Sequence, residues 1–165
     1  MAELYKKHFM KQKMMERMLW ALAPAALGSV WFFGLRALLV MGVSVLFACF
    51  AEWLFVRKKG GRISEAALVT GLIFALSMPP KVPLWIVALG ISFGMVFGKM
   101  AFGGFGTNLF NPAIAARAFV YISFSKPINA DWTGVATGAF GGFSKFLGPD
   151  IQAVSSATPL LAFKN

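Results

Sequence analysis

The sequence predicts an all-α polytopic membrane protein with about five transmembrane helices, some of them short or broken. Two features of the composition point to this class: 58% of the 165 residues are hydrophobic, and only 13% are charged. Soluble domains are about 45–50% apolar and about 25% charged. The third observation is the order along the chain, in which long apolar runs alternate with short basic segments. Together these observations exclude a soluble globular enzyme.

Five apolar runs are predicted to form the spans. They cover residues 18–34, 37–56, 66–79, 83–98 and 109–125. The third and fourth are shorter than the about 20 residues that a helix needs to cross the hydrocarbon core. Segment 78–83 between them contains three prolines, which a continuous helix cannot accommodate. Short or broken helices are tolerated at membrane depth only where protein covers them or where they line a cavity.

The distribution of Lys and Arg predicts the orientation of the spans. The chain has sixteen Lys and Arg against six Asp and Glu, a net charge of +10. One side carries only Arg36 and Lys81 in its short loops. The basic residues of the other side are Lys6, Lys7, Lys11, Lys13, Arg17, Arg57, Lys58, Lys59, Arg62 and Lys99. Because basic loops stay in the cytoplasm, this pattern predicts a cytoplasmic N-terminus.

The domain organisation follows from these spans. We expect a cytoplasmic basic tail at 1–17, a transmembrane domain at 18–125 and an outer-face segment at 126–165. The apolar run after the tail is longer than a signal-peptide core, so no cleavable targeting segment is expected. The tail is expected to lie at anionic lipid rather than to bind nucleic acid.

The sequence gives little support for a metal site or a catalytic nucleophile. Cys49 is the single cysteine and His8 the single histidine. Iron–sulfur and zinc sites take about four protein ligands, so we expect no metal site. No catalytic residue, phosphate-binding loop or nucleic-acid motif is predicted.

Two features inside the predicted spans call for an explanation. Gly90, Gly94 and Gly98 recur at four-residue spacing, which favours close helix packing; a face kept thin for a flat cofactor is the alternative. Glu52 lies inside the second span, where an ionisable group is costly and faces a partner or a wet cavity. Arg117 in the fifth span is the candidate partner, near mid-membrane, and snorkelling of both side chains to the interface is the alternative.

The segment 102–113 is rich in glycine and amide side chains. Its three glycines permit a tight turn with unusual dihedral angles. Asn108 and Asn111 lie three residues apart, directly before Pro112, which suits the first turn of a helix. Helix capping by Asn111 is the simpler interpretation, and contact of both amides with a planar polar ring is the alternative. In the tail, the hydroxyls of 154–158 precede a proline, and by chemistry alone they indicate a loop or turn.

Several of these segments, in combination, resemble one family of membrane subunits. They are 68–80, 83–85, 88–91, 102–108, 111–113 and 117–119. The family comprises the RnfD subunit of the Rnf electron transport complex and the NqrB subunit of the sodium-translocating NADH:quinone oxidoreductase. The resemblance runs from about residue 17 to 162. Segment 31–34 is more similar to the Rnf subunit, and 117–119 to the quinone-reductase subunit.

The resemblance implies two flavins. Members attach FMN through its phosphate to the threonine of a Ser-x-Ala-Thr motif, which matches Ser155 to Thr158 here. Thr158 is therefore the implied attachment residue. The asparagines that match Asn108 and Asn111 lie against a non-covalent riboflavin, which favours a flavin pocket over capping alone. Arg117 near a flavin would favour its anionic reduced form.

The resemblance also implies the setting of the chain. It would be one half of an inverted-repeat fold in a bacterial or archaeal inner membrane, with another chain or segment supplying the second half. Its complex would couple redox chemistry to ion movement, relaying electrons through FMN and riboflavin between ferredoxin and NAD or from NADH to quinone. Its partners would include a second flavin-linked subunit and iron–sulfur subunits. The chain is expected to be inactive alone.

Two other functions remain open from the residues. The chain could be half of a channel or transporter whose broken spans line a solute path. It could also be a non-catalytic, truncated assembly subunit. Neither alternative predicts a bound chromophore.

Overall fold

A computed structural model describes residues 9–10, 13–58, 63–104, 106–108, 110–125 and 128. The elements are strand β1 (Phe9–Met10), helix α1 (Lys13–Phe33), helix α2 (Leu35–Lys58), strand β2 (Ile63–Ser64), helix α3 (Glu65–Leu76), helix α4 (Leu84–Gly98) and helix α5 (Pro112–Ser123), with a 3₁₀ turn at Met100–Phe102. The two strands form one parallel pair, in which Phe9 lies opposite Ile63. The helical class is confirmed, with a helix at each of the five predicted positions.

Two segments of the described chain are long and apolar enough to cross a membrane. They are Leu35–Arg57 and Leu84–Phe102, whereas α3 and α5 are shorter apolar helices. The number of spans that cross, and the relation to an inverted-repeat fold, stay predictions. Helix α1 begins at Lys13, ahead of the predicted span at 18, because Lys, Met, Glu and Arg are good helix formers. A hydropathy pattern locates the apolar part of a helix, and a polar first turn lies outside that part.

The connections between helices gather at two ends of the bundle. At one end, which we call the basic end, β1 pairs with β2 and Lys99 contacts Ser64. At the opposite end, Arg36 donates hydrogen bonds to the carbonyl oxygens of Pro80 (3.0 Å) and Lys81 (3.1 Å). The charge pattern predicts this grouping of loops; which end faces the cytoplasm stays a prediction.

The proline-rich connection separates α3 from α4, as its composition predicts. Helix α3 ends at Leu76 and α4 begins at Leu84. Pro83 occupies the N-cap position of α4, outside the helix, where its missing N–H costs no helical hydrogen bond. The carbonyl groups that the prolines leave unpaired include those bound by Arg36. A cation on α2 therefore fixes the connection that could not be helical.

The core lies between α2, α3, α4 and α5. Its largest buried apolar side chains include Phe74, Ile86, Ile91, Met95 and Val120. Large apolar side chains also cover the outside, among them Trp20 (75% exposed) and Ile122 (85% exposed). An apolar exterior of this kind is typical of a surface that meets lipid or another protein. It agrees with the membrane class predicted from composition.

Small residues let the helices approach closely. A side chain at Gly71 in α3 would lie 2.9 Å from the Val45 Cα of α2, and Ser44 donates a hydrogen bond to the Gly71 carbonyl oxygen (2.7 Å). The glycines of α4 face α5 in the same way. A Cβ at Gly94 would lie 2.5 Å from that of Ala116, and one at Gly98 would lie 2.9 Å from the Pro112 Cα. The prediction that this face packs against a helix is confirmed, and α5 covers it.

The Gly94 contact gives a test of this packing. We expect Gly94→Ala to lower the stability of the chain by about 1–3 kcal/mol, because backbone and Ala116 leave no room for a methyl group. Thermal unfolding in detergent, followed by circular dichroism, measures the effect. Gly42→Ala is the matched control on α2, where a new Cβ meets nothing within 4 Å. Equal Tm values for the two variants would contradict the close approach.

Candidate functional site

The candidate site is the glycine–asparagine turn that connects α4 to α5. After the 3₁₀ turn, the backbone takes positive φ at Gly103 (107°), Gly104 (108°) and Gly106 (88°). Residues with a Cβ rarely adopt this backbone conformation, so the path of the chain requires glycine at these positions. The predicted turn with unusual dihedral angles is confirmed. It reverses the chain within a short distance and leaves Asn108 exposed.

Local hydrogen bonds hold the turn in shape. The Gly104 amide donates to the Lys99 carbonyl oxygen (3.1 Å), and the Gly103 amide donates to that of Met100 (3.2 Å). The Thr107 hydroxyl donates to the Gly104 carbonyl oxygen (3.2 Å). The turn therefore closes back onto Lys99, the residue that directly follows α4.

Asn111 fixes the other side of the turn. Its Oδ1 accepts a hydrogen bond from the Ala113 amide (3.0 Å), which is the N-cap of α5, and Pro112 occupies the first helical turn. The predicted cap is confirmed. Asn108 Nδ2 donates to the Phe110 carbonyl oxygen (3.2 Å). Both asparagine side chains are thus oriented by the backbone.

A buried polar cluster anchors the base of the turn at the basic end. Lys99 Nζ lies 2.9 Å from Glu52 Oε2 and donates to Ser64 Oγ (2.7 Å). Glu52 Oε1 in turn accepts from the Ser64 hydroxyl (2.7 Å) and amide (3.2 Å). Glu52 and Lys99 are each 2% exposed and Ser64 is 1% exposed. The cluster joins α2, β2 and the end of α4, so it sets the point from which the turn starts.

The structure corrects the expected pairing of the charged residues. Glu52 does not pair with Arg117; it is buried against Lys99. Arg117 is exposed, with its guanidinium 5.5 Å from the Tyr121 ring centroid. Helix α5 runs from Pro112 to Ser123, so Arg117 lies about 7.5 Å from its start, near the middle of the helix. The helix begins later than the apolar run indicates, and the position of Arg117 near mid-membrane stays a prediction.

Lys99 is the residue that sequence reasoning missed. The charge pattern identifies it only as a marker of orientation, although Glu52 needs a cation at its own depth. The predicted topology already places the ends of the second and fourth spans on one side. That shared position is the signal that could have paired Lys99 with Glu52. Ser64 gives no comparable signal, because a serine in a short loop is ordinary.

The structure describes two of the four predicted binding residues. Ser155 and Thr158 lie outside the described residues. Asn108 and Asn111 lie together in the turn, and within the described part of the chain Asn108 Oδ1 and Asn111 Nδ2 have no hydrogen-bond partner. One free acceptor and one free donor suit the edge of a flavin ring, where carbonyl oxygens alternate with an N–H group. The residues present fit such a ring.

The cluster yields a prediction for stability. Lys99→Met leaves the Glu52 carboxylate buried without its cation, so we expect a loss of about 3–5 kcal/mol. The double variant Glu52→Gln, Lys99→Met removes both charges and should recover part of the loss. Thermal unfolding in detergent measures both. A Lys99→Met variant with the Tm of the parent chain would contradict the buried pair.

Comparison with known proteins agrees with the resemblance drawn from the motifs. A model described as the NQR2, RnfD, RnfE family matches residues 4–165. A subunit of the Na(+)-translocating NADH-quinone reductase of Pseudomonas paraeruginosa (strain DSM 24068 / PA7) is 48% identical over 88 residues, 52% of this chain and 22% of that protein. The protein of the same name from Chromohalobacter salexigens is 42% identical over 124 residues, 70% of this chain and 29% of the relative.

A third relative of the same name, from Chlamydia felis, is 44% identical over 98 residues, 59% of this chain and 19% of the relative. The chain thus spans between 19% and 29% of the length of these relatives. The family match, in contrast, covers nearly all of the chain. The chain belongs to the NQR2, RnfD, RnfE family.

Proposed function

We propose that this chain is a flavin-carrying membrane subunit of a redox-driven, ion-translocating oxidoreductase complex. Family membership supports the class, since the matched relatives are named as subunits of a sodium-translocating NADH-quinone reductase. The observation that carries the flavin assignment is the glycine–asparagine turn, which presents two oriented amides. In this proposal the chain acts in the inner membrane within a complex of the NADH:quinone or Rnf type.

The partners follow from the same proposal. Since the matched relatives are named as subunits, we propose that this chain works with other subunits, and with a chain or segment that supplies the rest of the fold. A second flavin-linked subunit and iron–sulfur subunits are the expected redox neighbours. Exposed apolar side chains around α1 and α2 leave ample surface for such contacts.

The turn would form hydrogen bonds with the polar edge of a riboflavin ring and apolar contacts with the faces of that ring. Asn108 Oδ1 would accept from the ring, and Asn111 Nδ2 would donate to it. Phe102 (39% exposed) and Phe110 (62% exposed) flank the turn with ring centroids 6.3 Å apart, and so offer apolar contact. The N-terminus of α5 adds the partial positive charge of the helix dipole, which favours a reduced, anionic ring. When bound, the flavin supplies the one- and two-electron chemistry that no side chain here provides.

Thr158 would carry the second flavin, as FMN in a phosphoester with its hydroxyl oxygen. Ser155 belongs to the same motif. A covalent link keeps the cofactor within reach of its neighbours without a tight binding pocket. On the predicted topology this motif lies on the outer face.

A channel or transporter half is less well supported. Along the core, the space between helices is filled by side chains such as Phe74, Ile91 and Met95. In the described part of the chain, a partly enclosed cavity of about 40 Å³ between α1, α2 and α3 has room for a few water molecules. The larger space, about 540 Å³ between α2 and α4, is an open apolar groove rather than an enclosed polar path. The broken connection is held by Arg36 at the end of the bundle, not at its centre.

The Thr158 assignment can be tested directly. The complex is purified from its native host through this chain, denatured, and separated on a gel under ultraviolet light. We expect a fluorescent band for this chain that disappears in Thr158→Ala. Ser156→Ala is the matched control, since that position in the motif is variable, and it should stay fluorescent. A dark band beside other fluorescent flavoprotein subunits would overturn the assignment.

A second experiment tests whether the turn binds riboflavin. We expect Asn108→Ala and Asn111→Ser each to weaken riboflavin binding about five- to tenfold, the effect of one lost hydrogen bond. Serine retains the cap of α5, so Asn111→Ser separates the amide's role in binding from its role in folding. Riboflavin released from the purified complex by denaturation measures the loss. Ser123→Ala, exposed at the far end of α5, is the control and should keep its riboflavin. Full flavin content in both asparagine variants would contradict the site.

A further inference from the structure

We propose that one face of α2 binds an anionic phospholipid, with the lipid phosphate on Arg57 and an acyl chain along Trp53, Phe50 and Phe47. We call these four residues the aromatic ladder. The proposal goes beyond the redox function and does not depend on it. It concerns the surface that the chain presents to the leaflet at its basic end.

The ladder is a continuous stripe of side-chain contacts. The Phe47 and Phe50 ring centroids lie 6.5 Å apart at 72°, and those of Phe50 and Trp53 lie 6.1 Å apart at 27°. The Arg57 guanidinium carbon lies 4.9 Å from the Trp53 ring centroid. Spacings of three and four residues place all four on one side of the helix. Phe50 is 49% exposed and Trp53 36%, so the stripe is open to its surroundings.

The length of the ladder matches one leaflet. Arg57 lies ten residues beyond Phe47, which is about 15 Å along a helix. The hydrocarbon core is about 30 Å thick, so each leaflet is about 15 Å deep. Arg36, at the opposite end of α2, lies about 31 Å from Arg57 along the helix. With Arg57 at the interface, Trp53 lies about 6 Å below it, close to the region where tryptophan is enriched, and Phe47 lies near the middle of the bilayer.

The charge of Arg57 is available to a ligand. Among the described residues, its contact is the Trp53 ring, and no carboxylate pairs with it. The nearest acidic residue in sequence, Glu52, is buried and bonded to Lys99 and Ser64. Arg36 differs, since its donors are used by backbone carbonyl groups. A guanidinium oriented by an indole and free to bond two oxygens suits a phosphate diester.

The surroundings favour an anionic lipid over a neutral one. Lys13 and Arg17 lie exposed at the start of α1, at the basic end. Each basic group near the surface attracts anionic lipid, and the ladder adds a fixed apolar track for one chain. A protein segment is the alternative occupant, because the relatives of this chain are several times longer. A protein segment on this face would exclude the lipid.

The test counts lipids on the full chain. The chain is purified in mild detergent with equal amounts of phosphatidylglycerol and phosphatidylcholine, and native mass spectrometry measures the lipids retained. We expect one phosphatidylglycerol held in preference to phosphatidylcholine. Arg57→Gln should weaken its retention about fivefold, the ratio that corresponds to about 1 kcal/mol for one basic group. Trp53→Leu should also weaken it, because the guanidinium loses its support.

The matched control is Arg17→Gln, which removes the same charge at the same end; among the described residues Arg17 has no aromatic partner. It should change retention less than twofold. Equal losses in Arg17→Gln and Arg57→Gln would overturn the proposal in favour of diffuse attraction to the leaflet. Equal retention of the two lipids, or no retained lipid, would overturn it as well. Circular dichroism of each variant confirms that the helices are intact.

Discussion

The buried ion pair between Glu52 and Lys99 is the interaction on which the rest of this structure depends. Two charges taken out of water are stable only when each finds its partner and further hydrogen bonds, which Ser64 supplies. That requirement brings together α2, the strand pair and the end of α4. The glycine turn then starts from a fixed point, because the carbonyl oxygen of the same Lys99 accepts the hydrogen bond that closes it.

Close helix packing fixes the other side of the turn. The glycines of α4 allow α5 to lie against its backbone, and Asn111 begins α5 at a defined residue. The turn between them is therefore exposed but held at both ends. This arrangement presents side-chain amides in a fixed orientation without a deep pocket. A site of this kind suits a flat ring whose other face is covered by a neighbouring segment.

Most of the helical framework could be predicted from the sequence, because hydropathy and proline placement are local signals. The packing face formed by Gly90, Gly94 and Gly98 and the Asn111 cap were predictable for the same reason. The partner of Glu52 was predictable only in part: the shared side of the second and fourth spans points to Lys99, but the packing of α2 against α4 selects it among several cations. The start of α5 was placed too early, because the turn is longer than the apolar pattern shows. The flavin at Thr158 rests on family resemblance, and that residue lies outside the described part of the chain.

The most direct test of the account is an electron cryomicroscopy structure of the native complex purified through this chain. The account predicts density for a planar three-ring group against Asn108 and Asn111, and a second such group joined to Thr158. It also predicts an intact Glu52–Lys99 pair beneath the turn. A turn filled by protein side chains, with an unmodified threonine at 158, would contradict the account.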